Sequence, residues 1–337
     1  MAFQSSVPEG VAVLENHVNP GVRVLRAGVV GAGVFGRLHA SKYANLRGVE
    51  LTAIADSDAS ARRSAEVHFG LKPEPNWRSM LGRVDVVSVC SPAITHGEIV
   101  RAFLEAGAHV LVEKPIATDL DEADELIAIA EATGRVLTVG HQERFVFARA
   151  GLLGGTEIPI MIECCRAGPW TGRGDDVSVV LDLMIHDLDL MHQLVPGAVS
   201  DVRARGRAVH GPLNDEVAAG IVFENGTEAM LLASRSASER KRYLRAIYPD
   251  GTIEIDFLSR EVRNTTRRVL TPFETDDPLG ESIAAFVSAA REGGNVFVRP
   301  DEARRALETA LLIEEAVQEA AVAGRGVPVQ DEFALHV

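Results

Sequence analysis

The sequence predicts a doubly wound α/β domain with a parallel sheet, followed by an α+β domain with an open, mainly antiparallel sheet. In residues 22–145, short β-branched runs alternate with longer, alanine-rich amphipathic stretches, which is the pattern of repeated βαβ units. After about residue 150 the pattern changes to a loop rich in glycine and arginine, one short helix candidate and several strand candidates separated by Asn-Gly and Asp-Gly turn signals. The two halves therefore belong to different fold classes.

Five strand candidates and four helix candidates make up the first half. The strands are 22–30, 49–55, 84–90, 108–112 and 135–140, and the helices lie near 34–46, 58–69, 95–106 and 119–133. Right-handed crossovers between these parallel strands produce a Rossmann-type sheet, in which ligands bind at the carboxyl ends of the strands.

Composition excludes several classes of protein. The 337 residues carry a net charge of −14 and contain no dense basic block, which argues against a nucleic-acid-binding protein. No apolar run approaches the roughly 20 residues that a membrane span needs, and the N-terminus lacks the basic and apolar regions of a secretion signal. The three cysteines form no CxxC pair, so we expect a cytoplasmic protein without disulfides.

A glycine motif, Gly31-Ala32-Gly33-Val34-Phe35-Gly36, follows the first strand and opens the first helix. Its glycines permit a tight turn, close approach of the backbone to a pyrophosphate, and close packing of helix on strand. Asp56 ends the second strand about 20 residues later, where a carboxylate accepts hydrogen bonds from ribose hydroxyls and repels a 2′-phosphate. The motif residues and Asp56 are therefore predicted to bind NAD rather than NADP, although Arg62 and Arg63 weaken this preference. The alternative is a packing turn with Asp56 as a helix cap.

Polar residues also follow the other three strands of the first half. They are Ser91, Pro92 and His96 after the third strand, Glu113 and Lys114 after the fourth, and His141 after the fifth. Because the carboxyl ends of parallel strands share one edge of the sheet, we expect these residues to contact the dinucleotide. A lysine at this place suits proton transfer. Individually, a helix start, a solvated ion pair and a satisfied histidine explain them equally well.

The second half contains five strand candidates and three helix candidates. The strands are 199–209, 216–224, 227–236, 243–249 and 251–257, and the helices lie near 179–194, 279–291 and 301–323. We expect an N-terminal arm (1–21), a dinucleotide-binding domain (22–145) and a second domain (146–337), and we allow for a C-terminal helix that packs back on the first domain.

An acidic and histidine-rich stretch lies on the first helix candidate of the second half. Asp182 and His186 are four residues apart, so a regular α-helix places them on one face among apolar neighbours. Burying such groups costs free energy unless they are paired or used. From this stretch alone, a capping aspartate and a core histidine are the favoured explanation. A zinc site needs a third ligand, and none is indicated, so no metal is predicted.

Taken in order, these motifs resemble the Gfo/Idh/MocA family, named after glucose-fructose oxidoreductase, inositol dehydrogenase and MocA. The resemblance rests on residues 28–40, Asp56, the run from Ser91 to His96, Glu113-Lys114-Pro115, residues 140–145, and Asp182 with His186, and it covers the chain from Val22 onward. It implies an NAD(P)-dependent oxidoreductase that acts on sugars, cyclitols or related polyols. It also implies that the open sheet of the second domain forms homodimers or homotetramers.

By the same resemblance, Lys114 lies beside the nicotinamide and the substrate hydroxyl, and Asp182 and His186 bind and orient the sugar. Oxidation of a carbinol moves a hydride to the nicotinamide while a base takes the hydroxyl proton. Lys114 and His186 are both candidates for that base, and the sequence does not decide between them.

The run Gly-His-Gln-Glu-Arg-Phe at 140–145 resembles the branch of the family that oxidises the 3-hydroxyl of UDP-N-acetylglucosamine, although the sequence continues with Val146-Phe147 where that branch often has Asn-Pro. Arg144, Arg166 and Arg173 are candidates for binding a substrate diphosphate. Three alternatives stay open: a dehydrogenase of a free sugar or inositol, a glycosidase that retains NAD, and a non-catalytic cofactor sensor. The sensor predicts loss of Lys114, Asp182 and His186, all of which are present.

Overall fold

The computed structural model describes residues 23–172, 174, 176–270 and 277–322, which form two compact units. The first unit contains residues 23–117, 121–145 and 277–301, and the second contains the remaining described residues. The predicted fold class is confirmed, because the first unit has a parallel sheet and the second a mostly antiparallel one. The N-terminal arm predicted at 1–21 lies outside the described residues.

The sheet of the first unit has five parallel strands in the order β2-β1-β3-β4-β5. The strands are β1 (Leu25–Val30), β2 (Val49–Ala55), β3 (Val86–Val89), β4 (His109–Val112) and β5 (Leu137–Val139). The helices that follow them are α1 (Val34–Asn45), α2 (Ala59–Phe69), α3 (His96–Glu105), α4 (Leu120–Thr133) and α5 (Glu143–Arg149). Helices on a parallel sheet bury both of its faces, which explains why β3 and β4 are rich in valine and do not alternate between apolar and polar residues.

The first unit is discontinuous in sequence. Helix α7 (Pro278–Glu292) packs on α1, and its residues Ile283 and Phe286 belong to the same buried cluster as Val29 of β1. Of the two C-terminal helices, α7 therefore belongs to this unit, whereas most of α8 (Pro300–Val322) belongs to the second.

The sheet of the second unit has seven strands in the order β12-β11-β10-β6-β9-β8-β7. The strands are β6 (Met161–Ala167), β7 (Val199–Arg207), β8 (Glu216–Phe223), β9 (Glu228–Ser234), β10 (Lys241–Tyr248), β11 (Gly251–Asp256) and β12 (Val262–Asn264). Every neighbouring pair is antiparallel except β6 and β9. Strands β6 and β12 were not predicted, and β6, which carries Glu163 and Arg166, lies in the middle of the sheet.

One helix packs on the centre of this second sheet. A π-helical segment, Val180–Met184, contacts β9 and runs directly into α6 (Ile185–Leu194), which contacts β6. The helix predicted near 179–194 is present, but its first turn is π-helical, so the expectation of a regular α-helix from its start is wrong. Within the described part of the chain, no helix combines the length and the apolar character that a bilayer span requires.

Candidate active site

The glycine loop lies between β1 and α1, and two of its glycines are required by the chain itself. Gly31 has φ +91°, and a Cβ there would lie 2.5 Å from the carbonyl oxygen of Cys90. A Cβ at Gly36 would overlap the carbonyl oxygen of Gly31. These positions need glycine for the turn and for the close contact of helix and strand.

Gly33 differs from both, because nothing in the chain requires it to be glycine. It is exposed, it has an ordinary φ of −63°, and an added Cβ would meet no atom within 4 Å. The open space lies at the N-terminus of α1, where backbone N–H groups favour an anion. A pyrophosphate that approaches the backbone closely explains the glycine, so the loop fits a dinucleotide such as NAD. Val34 and Phe35 beside it are also exposed.

Asp56 directly follows β2 and fixes the glycine loop. Its Oδ2 accepts the N–H of Ala32 at 2.6 Å, and its Oδ1 accepts the N–H of Asp58 at 2.7 Å. The cap of α2 is Asp58, which accepts the N–H of Ala61, so the alternative of Asp56 as a helix cap is wrong. Arg62 donates to the carbonyl of Asp56 at 2.8 Å, which binds its guanidinium to the backbone at this strand end.

His96 braces two loops at the carboxyl edge of the first sheet. The ring is buried, with Nδ1 2.7 Å from the carbonyl oxygen of Pro115 and Nε2 3.0 Å from that of Ser91. It therefore links the loop that begins at Ser91-Pro92, after β3, to the segment after β4. These contacts give His96 a structural role, and its predicted contact with the cofactor stays a prediction.

Glu113, Lys114 and His141 lie where β4 and β5 end, on neighbouring strands. Lys114 is half-buried and precedes a cis peptide bond to Pro115, and His141 is buried. The Glu113 carboxylate accepts a hydrogen bond from Gln142 Nε2 at 2.8 Å and lies 3.0 Å from the ring nitrogen Nε2 of His39. Sequence reasoning missed His39 and Gln142, although a histidine among the core residues of α1 is a signal that could have been used.

In the second unit, Asp182 lies in the π-helical segment and His186 in the first turn of α6. Both are half-buried, whereas Asp187 and Asp189, on the same helix, are buried. The Asp182 carboxylate lies directly against Gly174, since a Cβ on that residue would overlap it. The two side chains that the sequence singled out are thus the accessible polar groups of this stretch.

Two of the three arginines predicted to bind a diphosphate are buried, and the third lies outside the described residues. Arg166 is buried in a bidentate ion pair with Asp187, with Nε–Oδ2 and Nη2–Oδ1 distances of 3.1 and 2.7 Å. Its guanidinium is therefore paired with a carboxylate of the same unit, and the sequence alone does not indicate this pairing. Arg144 is also buried, with 2% of its surface exposed. Arg173 lies outside the described residues.

Arg235, which sequence reasoning missed, organises the loop beside Asp182. It is buried and donates to the Asp215 carboxylate at 2.6 Å and to the carbonyls of Gly174 and Val177. Its guanidinium also lies 5.3 Å from the ring centre of Trp170. The loop that carries Trp170 and Gly174 is thereby held by a residue at the end of β9.

A parallel sheet with a glycine loop, an acidic residue after β2 and an open helix N-terminus defines a dinucleotide-binding protein. Comparisons with known proteins show the family within this class. Residues 25–141 match an oxidoreductase family with an NAD-binding Rossmann fold, and residues 159–256 match the GFO/IDH/MocA C-terminal domain. The chain belongs to the Gfo/Idh/MocA family, which confirms the resemblance noted in its sequence. It is an NAD-binding oxidoreductase of the kind that acts on CH–OH groups.

Several relatives have names that state a reaction, and two of these act at position 3 of a sugar according to their names. UDP-N-acetylglucosamine 3-dehydrogenase of Acidithiobacillus ferrooxidans is 34% identical over 307 residues, which cover 87% of this chain and 97% of the relative. A solved structure of that enzyme has a TM-score of 0.80 and covers 88% of this chain and 98% of its own. D-glucoside 3-dehydrogenase of Escherichia coli is 37% identical over 199 residues, 53% of this chain and 57% of the relative.

Proposed function

We propose that the protein oxidises the 3-hydroxyl group of UDP-N-acetylglucosamine, or of a similar nucleotide sugar, with NAD as the hydride acceptor. The observation that carries this proposal is the similarity to UDP-N-acetylglucosamine 3-dehydrogenase over 97% of that enzyme's length. The second relative, D-glucoside 3-dehydrogenase, also bears position 3 in its name, which supports the choice of hydroxyl group.

The first unit supplies the cofactor site in this proposal. Gly33 and the N-terminus of α1 accommodate the pyrophosphate, and the Asp56 carboxylate accepts a hydrogen bond from the adenosine ribose. We keep Ser91, Pro92 and His141 as contacts near the nicotinamide. Bound NAD supplies the acceptor for a hydride from the carbinol carbon.

Lys114, Asp182 and His186 supply the proton chemistry and hold the sugar. Oxidation of a hydroxyl requires that its proton leaves as the hydride leaves, so a positioned amine or imidazole serves as general base. We assign that role to Lys114 or His186, and Asp182 accepts a hydrogen bond from a neighbouring sugar hydroxyl. Arg144 and Arg166 are not proposed as diphosphate ligands, because both are buried; Arg173 stays a prediction.

The deciding experiment measures NADH formation by absorbance with purified protein and NAD. The substrates are UDP-N-acetylglucosamine, free N-acetylglucosamine, methyl glucoside and myo-inositol, with an oxo-acid added in parallel to reoxidise any cofactor that stays bound. Turnover of the UDP-sugar alone supports the proposal. Turnover of a free compound alone contradicts the nucleotide-sugar substrate and leaves the oxidoreductase class in place.

A second candidate is a dehydrogenase of an unactivated sugar or glycoside. The observation that favours it is the 37% identity to D-glucoside 3-dehydrogenase, although it extends over only 53% of this chain. Activity on methyl glucoside that equals or exceeds activity on the UDP-sugar identifies this candidate. Binding of NAD without any turnover in the panel shifts the choice to the NAD-retaining glycosidase or the cofactor sensor.

We further propose that the protein forms a homodimer or homotetramer through the outward face of its seven-stranded sheet. On β9, the half-buried Met230 and Leu232 alternate with the buried Leu231 and Ala233, so one face stays apolar and partly accessible. Light scattering measures the size of the assembly, and Leu232→Glu should shift it toward the monomer.

We place the enzyme in the cytoplasm, where its three free cysteines stay reduced.

A further inference from the structure

A chain of buried polar groups runs through the first unit to the end of β4. Tyr43 Oη lies 2.8 Å from Ser88 Oγ, Ser88 Oγ lies 3.0 Å from His39 Nδ1, and His39 Nε2 lies 3.0 Å from Glu113 Oε1. Tyr43, His39 and Ser88 are fully buried, and Glu113 is 7% exposed. Burying four polar side chains in one core costs free energy unless each is satisfied, so their arrangement calls for a reason.

The hydrogen bonds between these four side chains run in one consistent direction. Burial raises the pKa of Tyr43 well above its ordinary value, so its hydroxyl keeps a proton that it can donate to Ser88. Ser88 then donates its own proton to Nδ1 of His39, which leaves the ring proton on Nε2. An Nε2–H group faces the Glu113 carboxylate as a donor. The opposite tautomer would place a bare nitrogen against a carboxylate oxygen, which is repulsive.

This series of hydrogen bonds ends at Glu113, beside Lys114, which the proposed reaction uses. Glu113 is joined directly to Lys114, and its carboxylate also accepts a hydrogen bond from Gln142 after β5. No side chain fits at Gly140, because a Cβ there would lie 2.6 Å from Glu113 Oε1. The carboxylate is therefore fixed from α1, from β5 and by the absence of a side chain at Gly140.

We propose that His39 is a positioning residue for the dehydrogenase reaction. In the Nε2–H tautomer selected by Tyr43 and Ser88, it holds the Glu113 carboxylate and thereby fixes the backbone from which the Lys114 side chain extends. His39 acts only through Glu113, and it touches neither substrate nor cofactor. This inference rests on the proposed function, which gives Lys114 a part in proton transfer.

Three variants test the inference through kinetics. His39→Leu removes the donor and should lower kcat about tenfold or more, since small displacements of a catalytic group are costly, with KM for NAD changed less than about threefold. His39→Gln keeps an N–H donor and should recover most of kcat. Tyr43→Phe removes the first link and should have a smaller effect of the same kind. Equal kcat in folded His39→Leu and wild type would overturn the inference.

A second readout needs no substrate, so it separates this inference from the proposed function. Competitive acetylation with peptide mass spectrometry gives the reactivity of Lys114 relative to Lys42, Lys72 and Lys241, the other lysines of the chain. In His39→Leu the relative reactivity of Lys114 should change by about threefold or more, and His39→Gln should restore it. A change without turnover in any variant supports the positioning role and contradicts the proposed reaction. Unchanged reactivity contradicts the positioning role.

If His39→Leu does not fold, the position of the ring proton in wild-type His39 tests the inference. Long-range ¹H–¹⁵N spectra of the wild-type histidine rings, with His39 assigned by its absence in His39→Gln, should show a proton on Nε2. A ring whose only proton lies on Nδ1 would overturn the inference, because Glu113 would then have no donor from α1.

Discussion

The two units place their candidate site residues by different means. In the first unit all five strands are parallel, so the ends of β1, β2, β3, β4 and β5 meet at one edge, and residues that follow strands are brought together by topology alone. In the second unit most neighbouring strands are antiparallel, and their carboxyl ends alternate between the two edges. Asp182 and His186 instead lie on a helix packed against the sheet. Residue order alone therefore predicts more of the site in the first unit than in the second.

The units also differ in how they satisfy buried polar groups. The first uses a directional chain of hydrogen bonds that ends in one carboxylate. The second uses two buried ion pairs, Arg166–Asp187 and Arg235–Asp215. Removal of one partner should accordingly lower the free energy of unfolding most in the second unit, because it leaves a buried charge without its counter-ion.

The largest expected effect is on the stability of the second unit. Asp187→Ala leaves the buried Arg166 guanidinium without this carboxylate and should lower the free energy of unfolding by about 3–5 kcal/mol. Urea unfolding can be followed through Trp170 in a Trp77→Phe background, since the two tryptophans lie in different units. The control is Asp201→Ala at the exposed pair with Arg203, which should cost less than about 1 kcal/mol. Equal losses in both variants would remove this difference between buried and exposed pairs.

The next effect tests whether both units contribute to the chemistry. Lys114→Ala in the first unit and His186→Ala in the second should each lower the rate of hydride transfer about a hundredfold or more, which is the scale of general acid–base catalysis. Binding of NAD, measured by calorimetry, should stay close to wild type. Lys72→Ala, at an exposed lysine, is the control and should leave the rate unchanged. Wild-type rates in both site variants would contradict the assigned roles.

The third effect separates glycines that the fold requires from the glycine that a ligand requires. Gly33→Ala should leave the melting temperature unchanged, because its Cβ meets open space, and should weaken NAD about tenfold. Gly36→Ala should destabilise the protein by about 1–3 kcal/mol, because its Cβ overlaps the Gly31 carbonyl oxygen. Thermal melts and NAD titrations of both variants check this contrast. A loss of stability in Gly33→Ala would show that the fold, rather than a ligand, needs that glycine.

A smaller effect is expected on cofactor preference. Asp56→Asn keeps an oxygen that can accept the Ala32 N–H but removes the negative charge, so the ratio of NAD to NADP affinity should fall about fivefold, or roughly 1 kcal/mol. Asp58→Asn, a change at the cap of the neighbouring helix, is the control and should leave the ratio unchanged. An unaltered ratio in Asp56→Asn would exclude a charge-based preference at this position.

The smallest effect is a change in the pH dependence of stability in the second unit, which comes in addition to the loss expected from breaking the buried Arg235–Asp215 pair. Burial alone would raise the pKa of Asp215, but the N–H groups of His210 and Val209 and the Arg235 guanidinium together hold it below the ordinary value. A lowered pKa stabilises the folded state above about pH 3.9, the value for an unfolded aspartate, and this contribution is lost as the pH falls through the folded pKa. Asp215→Asn should therefore be less stable near neutral pH and should lose less stability between about pH 5 and 2. Asp201→Asn, at an exposed site, should follow wild type in the same urea titrations.

The parts that the sequence predicted follow from local patterns. The strands of the first sheet, the glycine loop and Asp56 have signatures within a few residues, and strand order then places Glu113, Lys114 and His141 at one edge. Strand β6 escaped prediction because its charged residues break the apolar pattern and find partners far away in sequence: Glu163 pairs with Arg245, and Arg166 with Asp187. His39 and Arg235 escaped for the same reason, since their roles depend on distant partners that only the folded chain supplies.

The π-helical segment at 180–184 has a consequence for the history of the second unit. In such a segment each backbone hydrogen bond spans one residue more than in an α-helix, so the segment contains one residue more than a regular helix needs to cover the same path. A deletion at this place could be absorbed as a regular helix, with the chain before it turned by about 100° per residue. Related chains can therefore keep α6 and its buried core while presenting a different side chain where Asp182 now stands. One codon gained or lost at this place would thus change the side chain that we propose to hold the sugar.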